Sequence, residues 1–505
     1  MHTVQLLLRP TEYERHEIDR RFHALSHIHN VCVKHARKLL IRLDHDNEYQ
    51  AWRREYSSFP KKKKLSKPDQ IRREELKDLM KARRLEMELT EAEFESYLKV
   101  CRKRYEKLLS SQQVQAEARR VWRGVEKYLF DNGKSIHFKK YMDFDTIGGK
   151  SNLNGAKFDK DTMTVSWIGL DFKCYLPKNA DSRDYVLESM DHRVSLCMIK
   201  RRMFDSGWHY YVVLVLEGDA PHRRQTAGAS TMGIDPGVST VAGVSDTSCV
   251  LEELAPDSDR YDKQIAELLR HMDTSRRSSN PGKYRPDGTF IKGNRDPWVY
   301  TSNYRRMRRK LKTIYRRKHE YILCSHRNLC NRLLEDSDSF IVERMHFSSL
   351  QKRKKATERQ ETATAVRQKD GTVKTIRKYK KKKRFGRSVN RRAPALFLRE
   401  LKRKAEASGG SYDEVDTQNF KASQYNHVTD AYEKIPLNQR MKLIGGEQVQ
   451  RDLYSAFLIK NTDAGLEHPD RKKCIYEFGN FADMQKALVS QMQAEGRSMK
   501  QCFGF

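Results

Sequence analysis

Three carboxylates sit where short apolar segments end or begin. Asp235 falls within Gly233-Ile234-Asp235-Pro236-Gly237, Glu343 within Phe340-Ile341-Val342-Glu343-Arg344, and Asp452 within Gln450-Arg451-Asp452-Leu453-Tyr454-Ser455-Ala456-Phe457. The first two are β-branched or apolar runs that predict strands. The third carries Leu453, Ala456, Phe457 and Ile459 at helical spacing. Carboxylates on strand, strand and helix can converge in space, and such a set can hold two divalent cations roughly 4 Å apart. That pair supports in-line attack on a phosphodiester, activating water and stabilising the leaving oxygen. Each string alone is ordinary: Asp before Pro-Gly is commonly a turn, and a strand-end Glu is commonly solvated. Their joint order, spacing and element type, with a basic helix between the first two, favour the shared site.

Composition points to the same class of substrate. The 505 residues include 100 Lys+Arg against 67 Asp+Glu, a formal net charge of +33, and the sequence pI is about 9.7. Such a field attracts polyanions. No run of 18 or more apolar residues occurs, and Met1 to Pro10 is too short for a secretory signal. The expectation is a soluble, intracellular protein with no membrane partner. At 37% hydrophobic residues the chain suits several domains with large solvated surfaces. The nine cysteines form no CxxC pair, which argues against a disulfide framework or a cysteine zinc site. His23 and His27 share a helix face, but only Ala24, Leu25 and Ser26 lie between them and no third ligand is evident, so they receive no chemical role.

The elements that must position the carboxylates follow from periodicity. Thr3 to Leu8 reads as a strand closed by Pro10. Thr11 with Glu14 then caps a helix with apolar positions at Ile18, Phe22, Leu25, Ile28 and Val31. Two long helices are expected to Phe130, separated by a charged insert at Lys61 to Lys67. The second starts at the Thr90/Glu93 capping box and runs through Val114, Ala118, Val121, Trp122, Val125 and Leu129, a core stripe. Met163–Ile168, Ser195–Ile199 and His209–Leu216 read as antiparallel strands of a small barrel that the N-terminal strand completes. After a polar linker near Ala220 to Ser230, Asp235 ends a strand whose Pro236-Gly237 turn leads to a partner at Thr240–Val244. Pro394 to Ala407 reads as a helix stopped by Gly409-Gly410, and 411 to 449 as a compact unit of its own.

Between the first two carboxylates, Tyr304 to Leu334 predicts a long helix. Its first half carries Arg305, Arg306, Arg308, Arg309, Lys310, Lys312, Arg316, Arg317 and Lys318, while Glu320 is its first acid after Tyr304. Phosphates are therefore better partners for these cations than neighbouring side chains. Residues 352 to 392 hold 18 Lys or Arg against Glu358, Glu361 and Asp370, including the run Lys380 to Arg384. This stretch reads as a loop that is solvated or ordered by nucleic acid.

With these motifs the chain resembles the transposon-encoded TnpB nucleases and the small type V CRISPR effectors related to them. Gly233 to Gly237 is similar to the first RuvC motif, Val342-Glu343 to the second, and Arg451-Asp452 with Ser455-Ala456 to the third. The resemblance implies a bilobed, multidomain α/β plus β-barrel protein. A wedge-like β-barrel would comprise 1–10 and 131–227, and a helical recognition domain 11–130. A ribonuclease H-like, RuvC-type nuclease domain would be split between 228–410 and 450–505, around a nucleic-acid-binding insert at 411–449. It also implies an RNA-guided DNA endonuclease, in which a guide RNA reads target double-stranded DNA and the protein reads a short adjacent duplex motif. Asp235, Glu343 and Asp452 would be the catalytic ligands of two Mg2+ ions, or Mn2+ in their place, with no small-molecule cofactor. Arg305, Arg306, Arg308, Arg309, Lys310, Arg316, Arg317 and Arg440 would contact nucleic acid. Many relatives build the insert as a zinc ribbon. Here no cysteine lies between Cys330 and Cys474, and His427 alone cannot ligate zinc, so no zinc is expected. The insert would instead pack through Tyr425, Val428, Tyr432, Ile435 and Leu437.

Three rivals share parts of these features. A guided DNA-binding repressor needs no working site, and the presence of all three acids argues against it. An unguided Holliday-junction resolvase or RNase H leaves the first 220 residues and the excess charge without purpose. A DDE transposase is disfavoured by the Asp-Pro-Gly context.

Overall fold

The computed structural model describes residues 1–60, 66–130, 133–221, 228–351, 358–367, 373–379, 386–436 and 439–497. The chain divides into two compact units, Met1–His222 and Arg223–Phe505. No helix among the described residues is long and apolar enough to cross a membrane.

In the first unit, strand β1 (His2–Leu8) turns Val4, Leu6 and Leu8 inward in alternation. Thr11 then starts helix α1 (Glu12–Asp44) with the expected capping box: its hydroxyl accepts from the Glu14 N–H, and the Glu14 carboxylate accepts from the Thr11 N–H. Ile18, Phe22, Leu25 and Ile28 are buried as their spacing predicts, whereas Val31 is only half-buried. Four further helices follow, α2 (Asn47–Ser58), α3 (Lys67–Glu86), α4 (Glu91–Arg102) and α5 (Ser111–Phe130), where one more was expected. The extra breaks are made by local caps. Asp46 accepts from the Tyr49 N–H, Ser66 from the Asp69 N–H, and Ser110 and Gln113 bond each other reciprocally at the head of α5. Apolar spacing that runs on past Arg102 concealed that last break. Lys61 to Leu65, in the expected charged insert, lie outside the described residues. On α5, Val114, Ala118, Val121 and Val125 are buried and Trp122 and Leu129 pack against the same core.

The remaining strands of this unit are β2 (Thr146–Gly148), β3 (Ala156–Asp159), β4 (Thr164–Trp167) and β5 (Asp171–Tyr175). Helix α6 (Ala180–Ser189) and the long hairpin β6 (Val194–Phe204) and β7 (Gly207–Leu216) complete it. Their order is β2-β6-β7-β1-β5-β4-β3, antiparallel throughout. Strand β1 is thus central, and α1 to α5 occupy the sequence between the first and second strands of one sheet. The expected barrel is corrected to a half-barrel: among the described residues no ladder joins β2 to β3, and the sheet keeps two edges.

The second unit is built on a five-stranded sheet. Strands β8 (Thr231–Pro236), β9 (Thr240–Val244) and β10 (Cys249–Glu253) form an antiparallel meander, its first turn closed by a hydrogen bond from the Gly237 N–H to the Thr240 carbonyl at 2.9 Å. Helices α7 (Ser258–Ser278) and α8 (Ser302–Asp336) pack together through Ile265, Leu268, Met272 and Ile314. The C-terminal half of α8 buries Leu329, Leu333 and Leu334. Strand β11 (Ser339–Glu343) then pairs parallel to β8. After α9 (Phe347–Leu350) come β12 (Arg359–Arg367), β13 (Val373–Tyr379), α10 (Gly386–Arg392) and α11 (Pro394–Ala407). Strand β14 (Tyr412–Val415) pairs parallel to β11, giving the order β10-β9-β8-β11-β14.

Two expectations change here. The stretch expected as a basic loop contains the antiparallel hairpin β12–β13, because Thr362, Thr364 and Val366 favour extended backbone. Residues 352–357, 368–372 and 380–385, including the run Lys380 to Arg384, lie outside the described residues. Residues 411–449, expected as a separate compact unit, instead give their first strand, β14, to the five-stranded sheet. The rest comprises α12 (Thr417–Phe420), β15 (Tyr425–Asn426), β16 (Ala431–Tyr432), β17 (Met441–Ile444) and β18 (Glu447–Gln450). It shares one core with α13 (Arg451–Lys460) and α14 (Arg471–Ala494), through Phe420, Tyr425, Ile444 and Val449 against Tyr454, Phe457 and Phe481. Of the residues expected to pack it, Tyr425 is buried and Ile435 half-buried, but Val428 and Tyr432 are exposed, and Leu437 lies outside the described residues.

His427 takes the packing role that Val428 and Tyr432 lack. It is 1% exposed, its Nδ1 lies 2.8 Å from the Tyr454 hydroxyl, and its ring packs against Phe457 and Phe478. Burial, helped by Arg471, pushes its pKa down to about 4. The unfolded chain, with His near 6.5, therefore takes up a proton that the folded chain refuses. Stability from this group is full above about 6.5, is lost as pH falls towards 4, and changes no further below. The gap in melting temperature between wild type and His427→Gln should narrow between pH 7 and pH 5, and a constant gap would show that His427 does not titrate with folding.

Candidate active site

The sheet register brings two carboxylates together before any side chain is considered. Val342 of β11 lies opposite Ile234 of β8, so the next residues, Glu343 and Asp235, leave adjacent parallel strands at the same end. In mixed sheets of this kind the carboxyl ends of parallel strands are where ligands collect. Helix α13 delivers the third. Gly233 shares a sheet face with Asp235, and α13 lies so close to it that a Cβ there would stand 2.2 Å from the Ala456 carbonyl oxygen and 2.3 Å from the Lys460 nitrogen. Asp452, in the first turn of that helix, is thereby held near the end of β8.

The head of α13 is fastened from both sides. The Gln450 side chain accepts from the Leu453 N–H at 2.8 Å, and the Gln450 N–H donates to Gln485 Oε1 at 2.7 Å. Gln485, 2% exposed on α14, also donates to the Gln448 carbonyl at 2.9 Å. It is a positioning residue that sequence reasoning missed; its only signal was a polar side chain on the helix face that also carries Phe481, Ala482 and Met492. Thr417 was missed too. Its hydroxyl bonds the Glu343 carboxyl and donates to the Arg344 carbonyl at 2.6 Å.

The electrostatics show how closely the acids are coupled. Burial, then the negative charges of Glu343 and Asp452, raise the Asp235 pKa well above the usual carboxylate range, with Arg451 pulling the other way. Glu343 is raised chiefly by burial, against hydrogen bonds from Asp235 and Thr417. Two carboxyls bond each other only with a proton between them, so this pair is a place where positive charge is wanted. Asp452 has found its own: Arg451 Nη2 lies 3.0 Å from Oδ1 and Arg440 Nη1 3.3 Å from Oδ2. Arg440, expected as a phosphate contact, thus stands directly beside a carboxylate. Among the described residues no three His, Cys, Asp or Glu side chains form a ready cation cage. The donor set is nonetheless all oxygen, as a hard divalent cation requires, although Asp452 Oδ1 already accepts from both Nε and Nη2 of Arg451, at 3.1 and 3.0 Å.

The expected nucleic-acid contacts on α8 form a separate surface. Arg305, Arg306, Arg308, Arg309, Lys310 and Arg317 are exposed, and among the described residues none of them makes a carboxylate ion pair. Arg316 and Lys318 are engaged, with Glu320 at 3.8 Å and Asp262 at 2.6 Å.

No family model matches this chain, and no curated protein does. Among solved structures, a cryo-EM structure of a Cas12f1–sgRNA–target DNA complex is similar over 91% of this chain and 98% of that chain, with a TM-score of 0.40 and 11% identity. A CRISPR–Cas12f ternary complex is similar over 89% of this chain and 82% of that chain, with a TM-score of 0.25 and 11% identity. The functional reading rests on the residues themselves.

Proposed function

We propose that the chain is a metal-dependent, RNA-guided DNA endonuclease with one RuvC-like site made by Asp235, Glu343 and Asp452. The observation that carries this reading is the meeting of Asp235 and Glu343 on adjacent strand ends, with Asp452 close enough to raise the pKa of both. Asp235 and Glu343 would hold Mg2+ between them, and Asp452, fixed by Gln450 and Gln485, would complete the oxygen set. Two such ions, when bound, activate water and stabilise the departing oxygen. Arg440 and Arg451 hold Asp452 in place through their ion pairs, and would lie where an incoming phosphate passes. The exposed cations of α8 would hold nucleic-acid backbone. No zinc is assigned to 411–449, which packs through His427, Tyr425 and Phe420 against α13 and α14.

The test is to sequence the RNA that co-purifies with the expressed protein, program it against a chosen duplex, and assay cutting with magnesium. A discrete RNA with a variable segment, together with guide-dependent cleavage, is expected. Guide-independent cutting would establish the resolvase reading. Guided binding without cutting would establish the repressor, a reading favoured by the two guanidiniums that engage Asp452.

The α8 surface carries its own expectation. Replacing Arg305, Arg308, Arg309 and Arg317 with Gln removes up to four phosphate contacts, so the log–log salt slope of nucleic-acid binding should fall by about 3, alike for all sequences. An unchanged slope over a salt series would place these side chains in solvent.

A further inference from the structure

The tip of the α7–α8 hairpin holds a second chemistry. Between Ser278 and Ser302 the chain folds into a stack of aromatic rings. Phe290 lies on Trp298 with centroids 5.9 Å apart and planes 10° from parallel. Trp298 continues to Tyr300 at 6.3 Å and 13°, and Tyr300 to Tyr304 at 4.7 Å and 25°. None of these rings is fully buried, and Phe290 keeps 47% of its surface exposed. Trp298, Tyr300 and Tyr304 are half-buried, Tyr304 against the α7–α8 core, so the row runs from that core out to exposed Phe290.

The row is rigidly made. Buried Lys283 donates to Asn294 Oδ1 at 3.0 Å and the Asp296 carbonyl at 2.6 Å, with its ammonium 4.8 Å above the Trp298 ring. Arg276 also lies over Trp298, and Arg277 over Tyr284 while donating to the Gly288 carbonyl. Asn280 ties the two ends of the segment, bonding the Arg276 and Val299 carbonyls and the Val299 N–H. Little conformational freedom remains to be lost on binding. The charge is one-sided: residues 274 to 318 carry fifteen Lys or Arg against Asp287 and Asp296.

We propose that this tip, residues 280–304, is a stacking site for single-stranded nucleic acid, with Phe290 as its outer ring. Unpaired bases offer flat faces to stacked aromatics whatever their sequence, while the surrounding cations hold the backbone. A duplex cannot use the platform, since its bases are already stacked on one another. That distinguishes the tip from the cationic face of α8, which serves any phosphate backbone. The site is independent of the carboxylates, and its test does not require the chain to cut.

Full-length wild type, Phe290→Ala and Phe290→Tyr are titrated into fluorescein-labelled (dT)20, (rU)20 and a 20-base-pair duplex, and anisotropy is read at one fixed salt concentration. Phe290→Ala should lose at least about fivefold in affinity for the single strands, the worth of one stacked base, and keep its duplex affinity. Phe290→Tyr should bind all three like wild type. Comparing (dT)20 with (rU)20 tells whether DNA or RNA is preferred. Wild-type single-strand affinity in Phe290→Ala, or an equal loss on the duplex, would overturn the proposal.

Discussion

Asp235→Ala should bind guide and target as wild type does and cut at roughly a thousandth of the rate. The loss is electrostatic. With Asp235 gone, Glu343 and Asp452 remain too few to hold two cations, so several kcal/mol of transition-state stabilisation disappear, each 1.36 kcal/mol being tenfold in rate. Glu343→Gln and Asp452→Asn should do the same. A second readout separates this from damage to the fold. Burial and repulsion already oppose ionisation of Asp235, so its removal should leave the melting temperature, taken without added divalent ions, equal to wild type or higher. Full cleavage with magnesium in any of the three variants would remove that residue from the site.

Gly233→Ala should damage the same site without touching a carboxylate. The added methyl meets main-chain atoms of Ala456 and Lys460, which cannot rotate away, so α13 has to move outward along its length. That helix is buried almost throughout, and overpacking of this kind costs about 1–3 kcal/mol. In a unit of this size the melting temperature should fall by roughly 2–5 °C. A displacement of Asp452 by about 1 Å should lower cleavage around a hundredfold beyond any loss of folded protein. Gly479→Ala, on the exposed side of α14, is the control, since nothing lies within 4 Å of its Cβ. A Gly233→Ala protein with wild-type melting and cleavage would show that α13 is free to adjust.

The elements carrying the carboxylates were legible because each follows one local rule. Apolar runs became β8 and β11, the Pro236-Gly237 turn became the β8–β9 hairpin, and helical spacing after Asp452 became α13. What escaped the sequence were relations between distant segments. Gln485 reads as an ordinary helix residue until α14 is laid against β18. Arg440 reads as a free cation until β17 and β18 bring it 3.3 Å from Asp452. Strand β14 went unrecognised because Tyr412 to Val415 contains two acids and gains its place only as an edge beside β11. The run of α4 into α5 was misread for the opposite reason: periodicity persisted through a break that Ser110 and Gln113 impose.

The three carboxylates lie about a hundred residues apart along the chain, and no two of them belong to one hairpin or one helix pair. Such a site can form only after long loops have closed, the slowest class of contact to make. A nascent, misfolded or proteolytically opened chain therefore keeps its positive charge but lacks the assembled carboxylates on which the proposed cutting would depend. For the nuclease proposed above, the danger of an unfinished chain would be contained by topology.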